Sequence, residues 1–131
     1  LVDRVLAVAR GGADPGGLDL SAGAVVVVDD GDELFDGTVA TSLEQLAQAA
    51  RDTRLRIVFA TETQAAHRQF GGVLAQVQRD RFGILLDADP SLDGTLVGGV
   101  TLPRRRGPHP PGRAFLVLAG DVKTLQIAAQ P

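Results

Sequence analysis

Along this chain the spacing of apolar residues changes period several times. Residues 1–10 place Leu1, Val2, Val5, Leu6 and Ala9 at helical intervals. The stretch "GGADPGG" (11–17) then interrupts the pattern with glycine and proline. Ala24 to Val28 is an unbroken apolar run rich in β-branched side chains, which predicts a strand covered on both faces, as in a parallel sheet. "TSLEQLAQAARDT" (41–53) predicts a helix. Thr41 and Glu44 are spaced for a capping box, and Leu43, Leu46, Ala47 and Ala50 form one stripe. "LRIVFA" (55–60) predicts a second buried strand, and residues 64–80 read as helix weakened by Gly71 and Gly72. "FGILLDA" (82–88) predicts a third strand. Residues 89–113 read as loop, with Pro90, Pro103, Pro108, Pro110 and Pro111. Residues 114–128 predict two strands joined at Ala119-Gly120-Asp121.

Strand and helix alternate through the first ninety residues. That order implies an α/β fold with a mainly parallel sheet flanked by helices, finished by an antiparallel hairpin. Ligands of such sheets gather beyond the carboxyl ends of the strands. Asp29, Asp30, Thr61, Glu62 and Asp87 all follow strands and are expected to share one edge.

Composition narrows the reading. The 131 residues suit one domain, and 44% hydrophobic residues exclude a disordered tail. A net charge of -3 counts against non-specific nucleic-acid binding, and 4% aromatics with no Trp or Tyr leave little for base stacking. The absence of cysteine excludes disulfides and thiolate metal sites. No apolar run is long enough to span a bilayer and no signal peptide is evident, which points to the cytoplasm, any membrane anchor belonging to a longer parent. There is no methionine and the chain opens "LVDRVLAV", so it is expected to be a processed product or a piece of a longer protein.

The chemistry concentrates in "AVVVVDDGDELFDG" (24–37). The first candidate is a nucleotide-hydrolysing P-loop core, whose site has as its second half an apolar strand ending in acid. The first acid, Asp29, would orient Mg2+ through water, and Asp30 would polarise the attacking water. Asp30 is one methylene shorter than the glutamate more often used. Thr61, after the next strand, would sense the γ-phosphate. The plainer alternative is an acidic loop at a strand end. A phosphoacceptor receiver domain, with Asp87 as acceptor in "ILLDADPSLDG", fails because glycines and prolines replace the helix that should follow. The only lysine, Lys123, also falls within a hairpin. A calcium loop at Asp89, Ser91, Asp93 and Gly94 has Val100 where the bidentate glutamate belongs, which leaves a turn.

The segments "VVVVDDGDEL", "LRIVFATET", "FGILLDADPSLDGTLVGG" and "HPPGRAFLVLAGDVKTLQIA" come in a telling order. Together they resemble the second half of an FtsK/SpoIIIE-family ATPase domain, with a RecA-like P-loop core, as in the motor of type VII secretion systems. The likeness runs from about residue 24 to 128, with a helix and Gly-rich loop (1–23) before it. It includes a corner at Pro110, Pro111, Gly112 and Arg113 and a closing hairpin with Gln126.

The resemblance implies ATP hydrolysis with Mg2+ in a ring, each site lying between neighbouring subunits, and a secreted protein as substrate. By position, Asp29 would serve magnesium, Asp30 the water and Thr61 the sensor role. Glu62 stands where DNA-translocating members often place glutamine. The Walker A pattern G-x-x-x-x-G-K-[ST] occurs nowhere, and by the resemblance it would lie upstream of Leu1. Alone, the chain is expected to bind ATP weakly or not at all. Two other readings remain: a degenerate module that holds a substrate signal or regulates a neighbour without turnover, and a DNA-translocase module, against which the acidic balance counts. Arg104, Arg105, Arg106 and Arg113, with His109 beside them, suit either a neighbour's phosphates or a solvated turn; Arg113 stands apart because it belongs to the corner. His67 reads as a surface histidine.

Overall fold

The computed structural model describes residues 2–12, 14, 16, 17, 19, 21–69, 71–104, 107 and 110–128. Leu1, Arg105, Arg106, Pro108 and His109, named above, lie outside the described residues, as does the side chain of Val2. The elements are α1 (Val2–Ala9), β1 (Ala24–Val28), α2 (Gly37–Arg51), β2 (Leu55–Phe59), α3 (Thr63–Arg68), α4 (Gly72–Asp80), β3 (Gly83–Leu86), β4 (Arg113–Leu118) and β5 (Asp121–Gln126). Short 3-10 turns occupy Gly31–Leu34 and Asp93–Val97. The chain divides into two compact units, Leu1–Gln76 and Val77–Pro131.

In the first unit β1 and β2 pair in parallel, with Ala24 opposite Leu55 and Val28 opposite Phe59. The two strands flank α2 in sequence, as a parallel crossover requires. Successive side chains alternate across a strand. Ala24, Val26, Leu55 and Ile57 therefore face a core completed by Val5, Leu6 and Ala9 of α1 and Leu46, Ala49 and Ala50 of α2. Polar ties fix α1 on α2: Ser42 donates to Asp3 Oδ1 at 2.7 Å, and Arg10 donates to Gln45 Oε1 at 3.1 Å. The Gly-rich segment returns over α1 through a bidentate pair, Arg4 Nε to Asp14 Oδ1 at 2.9 Å and Arg4 Nη2 to Asp14 Oδ2 at 2.7 Å.

The expected double coverage of β1 is not found. Val25 and Val27 are 64% and 67% exposed, and Val58 of β2 is 51% exposed. α1 and α2 pack on the face that carries Ala24 and Val26, so Val25 and Val27 point away from them and are exposed among the described residues. The helix expected over 41–53 begins a turn earlier, at Gly37, after an extended Asp36 whose side chain makes no cap bond. Thr41 thus lies inside α2 and has no terminal N–H to cap, so the Thr41–Glu44 capping box does not form. The helix expected over 64–80 is two helices. Gly71 (φ 111) and Gly72 (φ 60) adopt left-handed backbone, which a continuous right-handed helix does not accept.

In the second unit β3, β4 and β5 form an antiparallel sheet with Leu85 opposite Phe115 and Leu116 opposite Lys123. The expectation of one mainly parallel sheet is corrected here: the fold is mixed α/β, with a parallel two-stranded sheet and a separate antiparallel three-stranded one. β3 takes its hydrogen bonds from β4, not from β2. This register places Leu85, Phe115 and Val117 in a core with Ala88, Val97, Val100, Leu102 and Val122. The loop 88–102 closes that core through Gly94, whose carbonyl accepts from Gly99 N at 3.0 Å and Val100 N at 3.1 Å. A Cβ at Gly94 would overlap the Val100 carbonyl, so only glycine lets the loop turn back this tightly.

The β4–β5 hairpin turns on two residues, Ala119 (φ 51) and Gly120 (φ 93). Positive φ at both positions is the type I′ pattern, for which Asn-Gly is favoured and a Cβ-bearing alanine is strained. Ala119→Asn is expected to stabilise the protein by about 0.5–1 kcal/mol. Urea unfolding checks it, and an unchanged or lower midpoint would refute the turn assignment.

Candidate functional site

The parallel register of β1 and β2 brings two of the sequence-predicted segments to one edge. Past Val28 and Phe59 the pairing runs on through Ala60 N to Val28 O and Gly31 N to Ala60 O, both at 2.8 Å. Asp29 and Asp30 therefore leave the carboxyl end of β1 beside Ala60 and Thr61. Asp29 and Asp30 are exposed, Thr61 is half-buried and Glu62 is exposed.

Tight turning shapes this edge. Asp30 sits in the left-handed region (φ 48, ψ 45), which aspartate tolerates better than most side chains. Its N–H is received by Asp29 Oδ1 at 3.2 Å, and its carbonyl accepts from Glu33 N at 3.1 Å, starting the 3-10 turn. Gly31 is buried with the Phe59 ring pressed against its Cα, and a Cβ there would overlap the ring. Phe59 also packs on Phe35, with centroids 5.8 Å apart and planes tilted by 31°. These rings form an apolar floor beneath the acidic turn.

Asp32, which the sequence reading did not single out, reaches the sensor position: Thr61 Oγ1 donates to Asp32 Oδ1 at 3.5 Å. Asp32 and Gly31 could have been suspected from "DDGDE", because a glycine behind an acidic pair allows the chain to double back toward the neighbouring strand. Among the described residues no group of three or more His, Cys, Asp or Glu side chains is arranged to hold a metal ion.

Asp87 and Arg113 belong to the second unit. Asp87, also left-handed (φ 46), follows β3 and donates its N–H to the Arg113 carbonyl at 3.4 Å. Arg113 opens β4 half-buried, and its Nε is buried without a hydrogen-bond partner among the described residues. The corner Pro110-Pro111-Gly112-Arg113 and Gln126, set apart in the sequence, do meet. Gln126 Nε2 donates to the Pro111 carbonyl at 2.7 Å, and Ile127 N donates to the Gly112 carbonyl at 2.8 Å. Gly112 has φ 76, and a Cβ there would strike the Ile127 carbonyl, so the glycine of the corner is required by backbone approach. His67 is half-buried in the last turn of α3.

The segment considered as a calcium loop is a self-satisfied turn. Asp89 Oδ1 accepts from Ser91 Oγ at 2.6 Å and from Ser91 N at 2.8 Å, while buried Asp93 accepts from Asp89 N at 2.8 Å. The Ser91 hydroxyl, then the Ser91 N–H, and lastly the charge of Arg104 hold Asp89 below the ordinary carboxylate range. A depressed folded-state pKa contributes stability that is present above the unfolded value and lost as pH falls through the folded one. Ser91→Ala is expected to move the Asp89 titration upward toward the ordinary value, read by carboxyl-carbon NMR. An unmoved titration would deny the hydroxyl its role.

Comparison with protein-family models, with curated proteins and with solved structures gave no match. Among the described residues no helix is long and apolar enough to cross a membrane.

Proposed function

We propose that residues 24–62 form the acidic half of a nucleotide site in a ring-forming motor ATPase, resembling the FtsK/SpoIIIE-type modules of type VII secretion, in which ATP hydrolysis drives protein export. The observation that supports this reading is the parallel β1–β2 register, which delivers an aspartate pair and a threonine to the same carboxyl edge. In this reading Asp29 would hold Mg2+ through water, Asp30 would serve as the base for a water, and Thr61 would offer its hydroxyl to the phosphate. Arg113, in the second unit, would act on a neighbouring module's phosphates. The finer reading of the fold, a RecA-like core, belongs to the same proposal and requires β1 and β2 to sit in a longer parallel sheet. The antiparallel β3–β4–β5 sheet is the feature that departs from it.

The residues at the edge fit one part of the ligand and not the other. Magnesium prefers hard oxygen donors, keeps several waters and needs only one or two carboxylates, one of which Asp29 could supply through water. When bound, it would neutralise phosphate charge. A triphosphate does not fit these residues alone. Residues 24–36 and 60–66 hold Asp29, Asp30, Asp32, Glu33, Asp36 and Glu62 and carry no Lys or Arg. In this proposal the phosphate-binding loop would come from outside these two segments, and no hydrolytic step is assigned to the chain by itself.

The test is a pair of calorimetric titrations with ATP. The chain alone is expected to bind Mg–ATP no more tightly than about millimolar, roughly -4 kcal/mol. A longer protein joining an intact G-x-x-x-x-G-K-[ST] loop to this chain is expected to bind it in the micromolar range, with an affinity that falls when magnesium is removed or Asp29 is replaced by Ala. Micromolar binding by the chain alone, or indifference of the longer protein to both changes, would overturn the proposal.

A second reading, a non-hydrolysing module that holds a secreted protein's signal or regulates its neighbour, is favoured by one observation. The Thr61 hydroxyl is directed at the Asp32 carboxylate, so the sensor position is already engaged by an acid of the same edge. On this reading the longer protein binds its partner with the same affinity in the presence and absence of ATP.

A further inference from the structure

We draw no further inference here: the strongest candidate, the apolar patch on the outer face of the β3–β4–β5 sheet formed by Phe82, Ile84, Leu86, Leu116, Leu118 and Leu125, carries nothing because nothing in the structure shows what covers it.

Discussion

Asp30→Asn, placed in a protein that joins an intact phosphate-binding loop to this chain, is expected to lower ATP turnover by about 10²–10⁴-fold while nucleotide affinity holds. The substitution keeps the size of the side chain and removes its charge and basicity. It also suits the backbone. Asp30 lies in the left-handed region (φ 48, ψ 45), and asparagine is among the few residues that accept that conformation readily. The N–H of Asp30 bonds to Asp29, and its carbonyl to Glu33, so neither contact depends on the side chain that is changed. A drop in turnover would therefore report chemistry and not a collapsed turn. Steady-state hydrolysis and ATP titration, run side by side, make the measurement. Unchanged turnover would remove Asp30 from the reaction and bring the non-hydrolysing module to the front.

Leu46→Ala is expected to cost about 2–5 kcal/mol, the usual range for a fully buried leucine whose site cannot collapse. Leu46 is 0% exposed and packs with Val5, Leu6 and Leu55, at the place where both helices meet the strands. A two-stranded sheet is marginal in water without a packed face. Unfolding the α1–α2 layer therefore removes what keeps β1 beside β2. Urea unfolding followed by circular dichroism reads the loss, with the exposed Gln48→Ala on the same helix as control, expected within about 0.5 kcal/mol of wild type. A loss below about 1 kcal/mol for Leu46→Ala would mean that the helices do not clamp the strands as described.

Local pattern made several elements legible. Ala24–Val28 is a strand with the expected bounds because five consecutive small or β-branched apolar residues end at two acids and a glycine. The hairpin was legible from Ala119-Gly120 between two apolar runs, and its pairing brings Gln126 back to the proline-glycine corner. What was not legible depends on partners distant in sequence. An unbroken valine run does not tell whether one face or two will be covered, and here α1 and α2 share one face. Nor does "FGILLDA" carry a mark of its partner: β3 joins β4, thirty residues on, because that register seats Leu85 and Phe115 in one core. At the acidic edge the strand-end residues Asp29, Asp30 and Thr61 were readable, since strand length and parallel pairing fix them. Asp32 carried only the weaker signal of the glycine behind the acidic pair, because its position depends on how Asp30 and Gly31 reverse the chain.

The bare valine face of β1 bears on how the protein behaves in bulk solution. Each strand of the first sheet has a single strand neighbour among the described residues, so each also presents an unpaired edge. Ala24–Val28 combines high β propensity with no charge, proline or glycine, the composition of segments that stack into cross-β aggregates. Asp29 and Asp30 follow it at once and act as gatekeepers, since stacking copies of the run would stack their carboxylates as well. The acids proposed for catalysis are thus also expected to oppose stacking of the strand. Asp30→Asn halves that charge, so its turnover has a meaning only per mole of protein that remains dispersed.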